Sequence, residues 1–552
     1  MPENEEIIMR NFFSSLTISL LALLIGCSGG GLPTQVQSDT KPPYWNDSDG
    51  VQYLKTGRGN VEVHWGFASD ERNPPVHYLV YMDTDDNPFD QVPIMVDENI
   101  HSYKFDGLVN GQDYWFGVRS TDSATPPNMD SNTNVMMTSP YNQGWVVTFG
   151  GETSDELVGI VVDENNNVYA CGSYSGTSVF GHSSNDSFDI FLAKYNPNGE
   201  LVWSRTWGGT GNDFGTAIAI DVLTETLHVS GVYDSEHGPV DFDPSDATDQ
   251  KPVYGEMDCF LSKFDLNGNY IRALIWGGGK NDNAGDVTLD ESGNAYITGY
   301  FRMTVDFDPG SGSDEHTSIP GSVYTPVDVY VSKFDPDENH IWTKTWGGTG
   351  KDEAVSISAR DGRIFIAGSV NIGGPDVPVD FDPGPGEHLL TTTEDIYSFT
   401  SCLDGDGGFL WANVWGRNAN DVISDGSGGC YFVNFDDMRR YDSSGNLVWS
   451  HDSEYNEYDQ TIILDNQGNI LLAHYPLGKF SSAGDSLWTR SLYANITKVA
   501  VDHSDNIIAG GMYTGDFTYA QSVIPIREQD SIAPPGDKNI FIMKLNPDGY
   551  LK

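Results

Sequence analysis

From residue 144 onward the chain alternates apolar and polar residues in short runs parted by Gly, Asn and Asp. LVGIVVD (157–163), TLHVSGVY (226–233) and DIFLAKY (189–195) each put every second side chain on one face, a period of two that predicts strands. No stretch of this region keeps a 3.6 period. The same grammar returns through the region: an apolar run ending in an acid, a Gly/Asn turn and a second run, then a third run often led by Asp. A turn such as PNGE (197–200), LNGN (266–269) or SSGN (443–446) leads to a run closed by tryptophan. Asn-Gly and related pairs tolerate positive φ and mark hairpins between alternating segments.

Counting on the closing run gives seven members: Trp145, Trp203, Arg272, Trp342, Trp411, Trp449 and Trp488. Four residues further on stand Phe149, Trp207, Trp276, Trp346, Trp415, Ser453 and Leu492. Four strands per unit, repeated at tens of residues, predict the blades of a β-propeller rather than a β-helix or helical solenoid. The seventh unit supplies three runs and stops at NPDGYLK, while GWVVTFGG (144–151) is a fourth run with no unit of its own. Pairing of that run with NIFIMKL (539–545) would close the ring and leave no open edge. DIFLAKYNPNGELVWSRTWGGTGND (189–213) resembles the SBBP-type β-propeller repeat, and the resemblance extends over the C-terminal region; it implies the fold and says little of function.

Residues 41–140 read differently. VEVHWGF (61–67) and HYLVYMD (77–83) alternate as strands, DYWFGVRSTD (113–122) follows, and Trp65 is placed to be a core tryptophan. The stretch from Leu108 to Tyr114 resembles the approach to the tyrosine corner of fibronectin type III domains, which implies a small sandwich with Tyr114 bonded back to backbone. Such modules commonly serve as spacers. The expected fold is therefore all-β: a seven-bladed β-propeller over 141–552, closed by strand 144–150, preceded by a fibronectin type III-like β-sandwich over 41–140.

The N-terminus adds an address. Leu16–Ile25 is apolar but too short to span a bilayer and follows Arg10, as in a secretory signal. The acidic residues before Met9 do not suit a signal, so translation is expected to start at Met9. Leu24-Ile25-Gly26-Cys27 resembles the bacterial lipobox, which makes Cys27 the lipidated residue, 1–27 the signal peptide and 28–40 a flexible linker. A chain on Cys27 would hold the protein to the bacterial envelope, at the outer membrane or cell surface, without a spanning helix.

Charge narrows the partners. Eighty acids against 29 bases leave a net charge of −51, which repels phosphate backbones and argues against nucleic acid. Aromatic content of 12% shows that this acidity belongs to a folded surface rather than to disorder. Cys171, Cys259, Cys402 and Cys430 form no CxxC pair and fall in expected strands, where a thiol packs as a small apolar group; their disulfide state is open.

Two sets of acids are candidates for chemistry. WGGTGND (207–213), WGGGKND (276–282) and WGGTGKD (346–352) end in acids at the crossovers between units. Counted from the tryptophan or its equivalent, these are Asp155, Asp213, Asp282, Asp352 and Asp421, expected to bond their own turns where Gly-Gly reverses the chain. VDFDP recurs at 240–244, 305–309 and 379–383 inside insertions between the second and third runs, so Asp241, Asp243, Asp306, Asp308, Asp380 and Asp382 should share a face with those crossovers. Asp-x-Asp offers the hard oxygens calcium prefers, although no complete EF-hand loop is present; solvated turns and a protein or glycan contact are the alternatives. The twelve histidines form no metal-binding or nucleophile motif. The expected role is a monomeric, non-catalytic binding or scaffold protein with a protein or glycan ligand, against a polysaccharide hydrolase or lyase.

Overall fold

The computed structural model describes residues 40–46, 50–57, 59–109, 112–138, 144–150, 154–177, 183–234, 238–252, 254–320, 326–371, 378–391, 396–416, 418–452, 461–474, 476–492, 495–513 and 539–550. The signal, Cys27 and all of the linker but its last residue lie outside the described residues. Two compact units divide the chain.

The N-terminal unit is built on a three-stranded sheet, in the order Val51–Gly57, Asn60–Trp65, Ser102–Asp106, and a four-stranded sheet, in the order Ile94–Val96, His77–Asp83, Tyr114–Thr121, Val135–Thr138. Alternation decides what is buried. Val61, Val63 and Trp65 point inward from one sheet, Tyr78, Val80, Phe116 and Val118 from the other. The Trp65 and Tyr78 rings meet across the gap with centroids 5.6 Å apart. Tyr114 is buried at the start of its strand.

The second unit is a β-propeller of seven antiparallel blades built on four strands each, the second extended at its outer edge by Thr304–Asp306 and Glu315–Thr317 from the following insertion. Blade 1 runs Glu156–Val162, Val168–Thr177, Ser183–Tyr195 and Leu201–Trp207, paired in chain order. Blades 2 to 6 repeat this order over 214–278, 283–346, 352–415, 419–452 and 461–490. Blade 7 takes its first three strands from Asn495–Val501, Ile507–Tyr513 and Asn539–Leu545, and its fourth from Val146–Phe149, which pairs Val146 with Met543 and Phe149 with Ile540. Both ends of the unit thus share one sheet. The first strand of each blade is innermost and the tryptophan strand outermost.

Successive blades are joined by the tryptophans. The ring of Trp203 lies over Gly268 in the hairpin turn of the next blade, and its Nε1 donates to Leu266 O in that turn at 3.3 Å. Trp145 stands over Gly199, Trp411 over Gly445, Trp449 over Gly484 and Trp488 over Gly549; Trp342 approaches Gly407. Each of these glycines has φ between 76° and 88° and a Cβ there would run into the ring, so the position excludes side chains twice over. The seventh joint differs. Arg272 replaces the tryptophan and Glu338, at φ 60°, replaces the glycine, so an ion pair stands where a ring otherwise covers bare backbone. The second tryptophan of each run packs sideways: Trp207 against Phe264, Trp276 against Phe334, Trp346 against Phe399 and Trp415 against Phe432, with centroids 4.6 to 6.3 Å apart. The four cysteines are free and fully buried, and burial pushes the Cys402 thiol up to about 12.

Candidate functional site

Antiparallel order puts the crossovers, the starts of the inner strands and the VDFDP insertions on one face, and the Asp-rich hairpins on the other. At the crossovers, the acids act on backbone. Asp213 accepts the Gly209 N–H at 2.5 Å and the Asp234 N–H at 3.0 Å; Asp282 accepts from Gly278 at 2.7 Å and Arg302 at 2.9 Å; Asp352 accepts from Gly348 at 2.5 Å. Their own N–H groups donate to Phe188, Met257 and Val327 carbonyls of the preceding blade. Each acid therefore binds its own turn and rivets two blades.

Each crossover acid also has a companion that sequence reasoning passed over. The Asp that leads the third strand of the preceding blade packs against the first crossover glycine: Asp189 against Gly208, Asp258 against Gly277, Asp328 against Gly347. Asn539 takes this place opposite Asp155, against Gly150. Asp189 Oδ1 and Asp328 Oδ1 are buried without a hydrogen-bond partner among the described residues. Burial, with the neighbouring Asp213 charge, raises the Asp189 carboxyl to about 7; burial likewise raises Asp213 and Asp282 to about 7 and Asp328 to about 6. The signal was present in the sequence as the recurring Asp at the head of the third run.

The Gly-Gly pairs are not needed for a sharp reversal. None of Gly208, Gly209, Gly277, Gly278, Gly347 or Gly348 has positive φ. What they provide is room. The first glycine accommodates the acid, and the second faces Val240, Val305 or Val379, whose γ-methyl would lie 2.9, 3.0 or 3.3 Å from a Cβ. Those valines open the VDFDP loops, which pair with the glycines directly: Gly208 bridges Asp241, and Gly277 and Gly278 pair with Asp306 and Val305. WGG and VDFDP are two halves of one inter-blade contact.

Within the insertions, Phe242, Phe307 and Phe381 are fully buried plugs. The flanking acids hold their own loops. Asp241 Oδ1 accepts the N–H groups of Asp243 and Asp249, Asp306 those of Asp308 and Asp314, Asp380 those of Asp382 and His388, at 2.8 to 3.2 Å. Asp243, Asp308 and Asp382 accept from Ser245, Gly310 and Gly384 at 2.8 to 2.9 Å. Among the described residues no three His, Cys, Asp or Glu side chains are grouped so as to hold a metal ion.

Asp421 is not a crossover acid. The inner strand of blade 5 begins at Ala419, directly after a short turn from Trp415, whereas blade 2 uses Gly208–Asp213 to travel from Trp207 to Phe214. Counting from the tryptophan therefore overshoots into the strand. Every long inner strand carries a β-bulge, and Asp421 sits just beyond it, level with Ala217, Asp286, Ser356 and Lys498. This places it in the wall of the central channel. There its carboxylate accepts the Ile462 N–H at 2.8 Å, its own Val422 N–H and the Ser356 hydroxyl, while Asp286 accepts the Ile357 N–H at 2.9 Å. Inner strands have no partner on their channel side, and these carboxylates satisfy amides exposed there. Burial, with the Asp421 charge, raises Asp286 to about 7.

The channel opens on the crossover face as a cavity of about 820 Å³, lined from all seven inner strands, with Phe214, Met257, Tyr300 and Met512 among the lining residues. No sequence motif marks it, because the blades contribute only a few residues each.

No family model matches the chain. An uncharacterized WD repeat-containing protein of Acanthamoeba polyphaga mimivirus is 25% identical over 307 residues, 46% of this chain and 22% of that protein. The regulatory protein FlaEY of Caulobacter vibrioides is 25% identical over 201 residues, 35% of this chain and 19% of that protein. The chain thus spans about a fifth of the length of these curated relatives. Among solved structures, BamB from Moraxella catarrhalis aligns over 73% of this chain and 99% of that one at 9% identity and a TM-score of 0.36. Virginiamycin B lyase from Staphylococcus aureus aligns over 73% and 100%, also at 9% and 0.36. Among the described residues, no helix is long and apolar enough to cross a membrane.

Proposed function

We propose that this chain is a non-catalytic binding or scaffold protein of the bacterial cell envelope, lipid-anchored through Cys27, whose propeller engages a protein, glycan or other envelope component at its crossover face. The carrying observation is the mouth of the channel: a cavity walled by all seven blades, on the face that also bears the insertions. Rigid strands position such a site better than loops do. Crossover and insertion-loop acids are taken up by backbone amides, which supports a platform rather than a reaction centre. The strand order of the N-terminal unit supports a fibronectin type III-like spacer between anchor and propeller. The repeat grammar supports membership among SBBP-type propellers.

A polysaccharide hydrolase or lyase is the second reading. The near-neutral acidity of Asp189 and Asp213 is what acid–base chemistry uses, but these side chains belong to residues only 8% and 0% exposed, beneath the crossover backbone. A glycan array combined with a reducing-end assay on tagless protein separates the readings. Binding without product supports the platform, and turnover replaces it with an enzyme. Failure of both, with envelope proteins recovered in pull-downs, supports a structural scaffold. Calcium at the Asp-x-Asp loops belongs to the same reading: titrating it into chelated protein raises the melting temperature if the ion binds, and a flat response removes it.

A further inference from the structure

The channel has hydrogen-bonding capacity that the protein does not use, and that capacity is of both signs. Among the described residues, the Lys498 side chain makes no hydrogen bond or ion pair, although its charge is felt by Asp286 and Asp421. Thr497, 3% exposed, leaves its Oγ1 without a partner, and Asn420 leaves its Nδ2 so. Both line the cavity. Asn420 stands on the inner strand of blade 5, and Thr497 and Lys498 on that of blade 7, with the inner strand of blade 6 linking the two: Asp421 beside Asn420 accepts from Ile462 of blade 6, and Thr461 of blade 6 donates to Thr497 O of blade 7. The unmet demand here is for acceptors, with a hydroxyl able to serve either way. Acceptor capacity also remains. A carboxylate offers about four lone-pair sites, and Asp286 uses two, for the Val287 and Ile357 amides.

Charge decides among ligands. A carboxylate or phosphate would meet Lys498 but enter a cavity that also holds Asp286, Asp421, Glu156 and Glu353. An ammonium would find these acids but face Lys498 and leave the Asn420 and Thr497 donors unmet. An uncharged polyol satisfies both halves, donating hydroxyls to Asp286 and accepting from Lys498 and Asn420. Phe214 and Tyr300 also line the cavity, and a sugar's C–H edge packs on aromatic rings of this kind. The volume falls in the range of about 300–1,000 Å³ usual for small-molecule pockets. Resting on the binding reading above, we propose that the channel mouth receives a neutral sugar residue, the uncharged end of a glycan, with Lys498 as its central donor.

The experiment is calorimetry on the full chain with five probes: cellotetraose, maltotetraose and mannotetraose as neutral sugars, tetragalacturonate as the acid and pentalysine as the base. At least one neutral tetrasaccharide binds, with an affinity insensitive to ionic strength. Lys498→Met weakens it at least tenfold, and Phe214→Ala, two blades further round the channel, weakens it as well. A cooperative melt shows that each variant folds; Lys498→Met gives up only the Lys498 charge beside Asp286 and Asp421. Neutral sugar binding that both variants leave intact overturns the channel assignment while preserving the binding reading. Preference for tetragalacturonate or pentalysine overturns the ligand class. If no probe binds, the channel proposal falls, and pull-downs then judge the binding reading separately.

Discussion

Aspartate behaves in opposite ways on the two faces of the propeller. On the hairpin face Asp265 begins a five-residue turn, and its Oδ1 accepts the N–H groups of Asn267 and Asn269 at 2.9 and 2.8 Å. Asp163, Asp290, Asp442, Asp465 and Asp502 repeat this geometry. At Asp265 and Asp465 burial pushes the carboxyl up, but the hydrogen bonds outweigh it and hold it below the ordinary range. On the crossover face Asp189, Asp213 and Asp282 are packed against second acids with too few donors, and burial wins. A surplus of 51 negative charges thus conceals two populations. One consists of turn formers at ease as anions; the other consists of rivets that favour a proton.

The strongest way to probe the hairpin face is its one irregular joint. The Glu338 side chain is 2% exposed and meets Arg272, Lys263 at 3.5 Å and His228 at 3.8 Å. Arg272→Trp alone leaves Glu338 beneath a ring with no room for its side chain, and Glu338→Gly alone strands two cations, Arg272 and Lys263, since burial keeps His228 neutral. Each should cost about 2–4 kcal/mol, less than the roughly 3–5 kcal/mol of a fully buried pair because the Arg272 side chain is 41% exposed. The double variant rebuilds the tryptophan-on-glycine contact of the other joints and should recover most of the loss. A double-mutant cycle by urea denaturation measures the coupling; additive losses would show that this joint is not an exchange of one contact for another.

Glycines separate the two faces next. Gly268→Ala fails for two reasons, φ of 76° and the Trp203 ring, and should cost about 2–3 kcal/mol. Gly208→Ala fails for space alone, so shortening Asp189 to Ala in the same chain should restore much of the stability. No companion substitution restores Gly268→Ala, because the backbone strain remains. Equal rescue at both sites would erase the distinction.

Much of this was legible in the sequence because the fold repeats. The sevenfold count follows from strand grammar, which survives in blade 6 although Leu492 replaces the second tryptophan. Pairing was harder to read. Asp213 and Asp189 lie on opposite sides of a turn and a strand, so the third-run aspartate looked like a starting signal rather than a partner. Arg272 looked like an isolated departure, since its compensation at Glu338 is in the next blade. Asp421 was misplaced because alignment on tryptophan assumes equal crossovers, and blade 5 has a short one. The channel residues, spread from Glu156 to Met512, share no local pattern at all.

The two populations oppose each other in pH. A carboxyl raised by folding favours the native state at low pH; that contribution declines from about pH 4 upward and is gone above about pH 7. The hairpin acids are lowered, so their contribution is present above about pH 4 and is lost as pH falls through their native values. Thermal stability should therefore peak near pH 5 and decline toward pH 8, read by melting scans in buffers of constant ionic strength. General repulsion among the surplus acids has the same sign above pH 5, so the scan alone does not isolate the crossovers.

The chain itself supplies the control. Opposite Asp155 the companion position is Asn539, an amide that can donate to its carboxylate neighbour where a second carboxylate cannot. Asp189→Asn copies that arrangement at the next joint, removes one charge from a surface that carries a surplus of 51, and keeps the side-chain shape. Loss of a surface charge would help by the same small amount wherever it occurred. Relief of a buried pair should instead stabilise by about 1 kcal/mol, the scale of one added hydrogen bond, at pH 8 and by almost nothing at pH 5, where the wild-type pair already holds a proton. Asp246→Asn, in an exposed insertion loop, provides the surface comparison. If Asp189→Asn and Asp246→Asn shift the melting temperature equally at both pH values, the crossover acids are ordinary anions and the contrast between the two faces collapses.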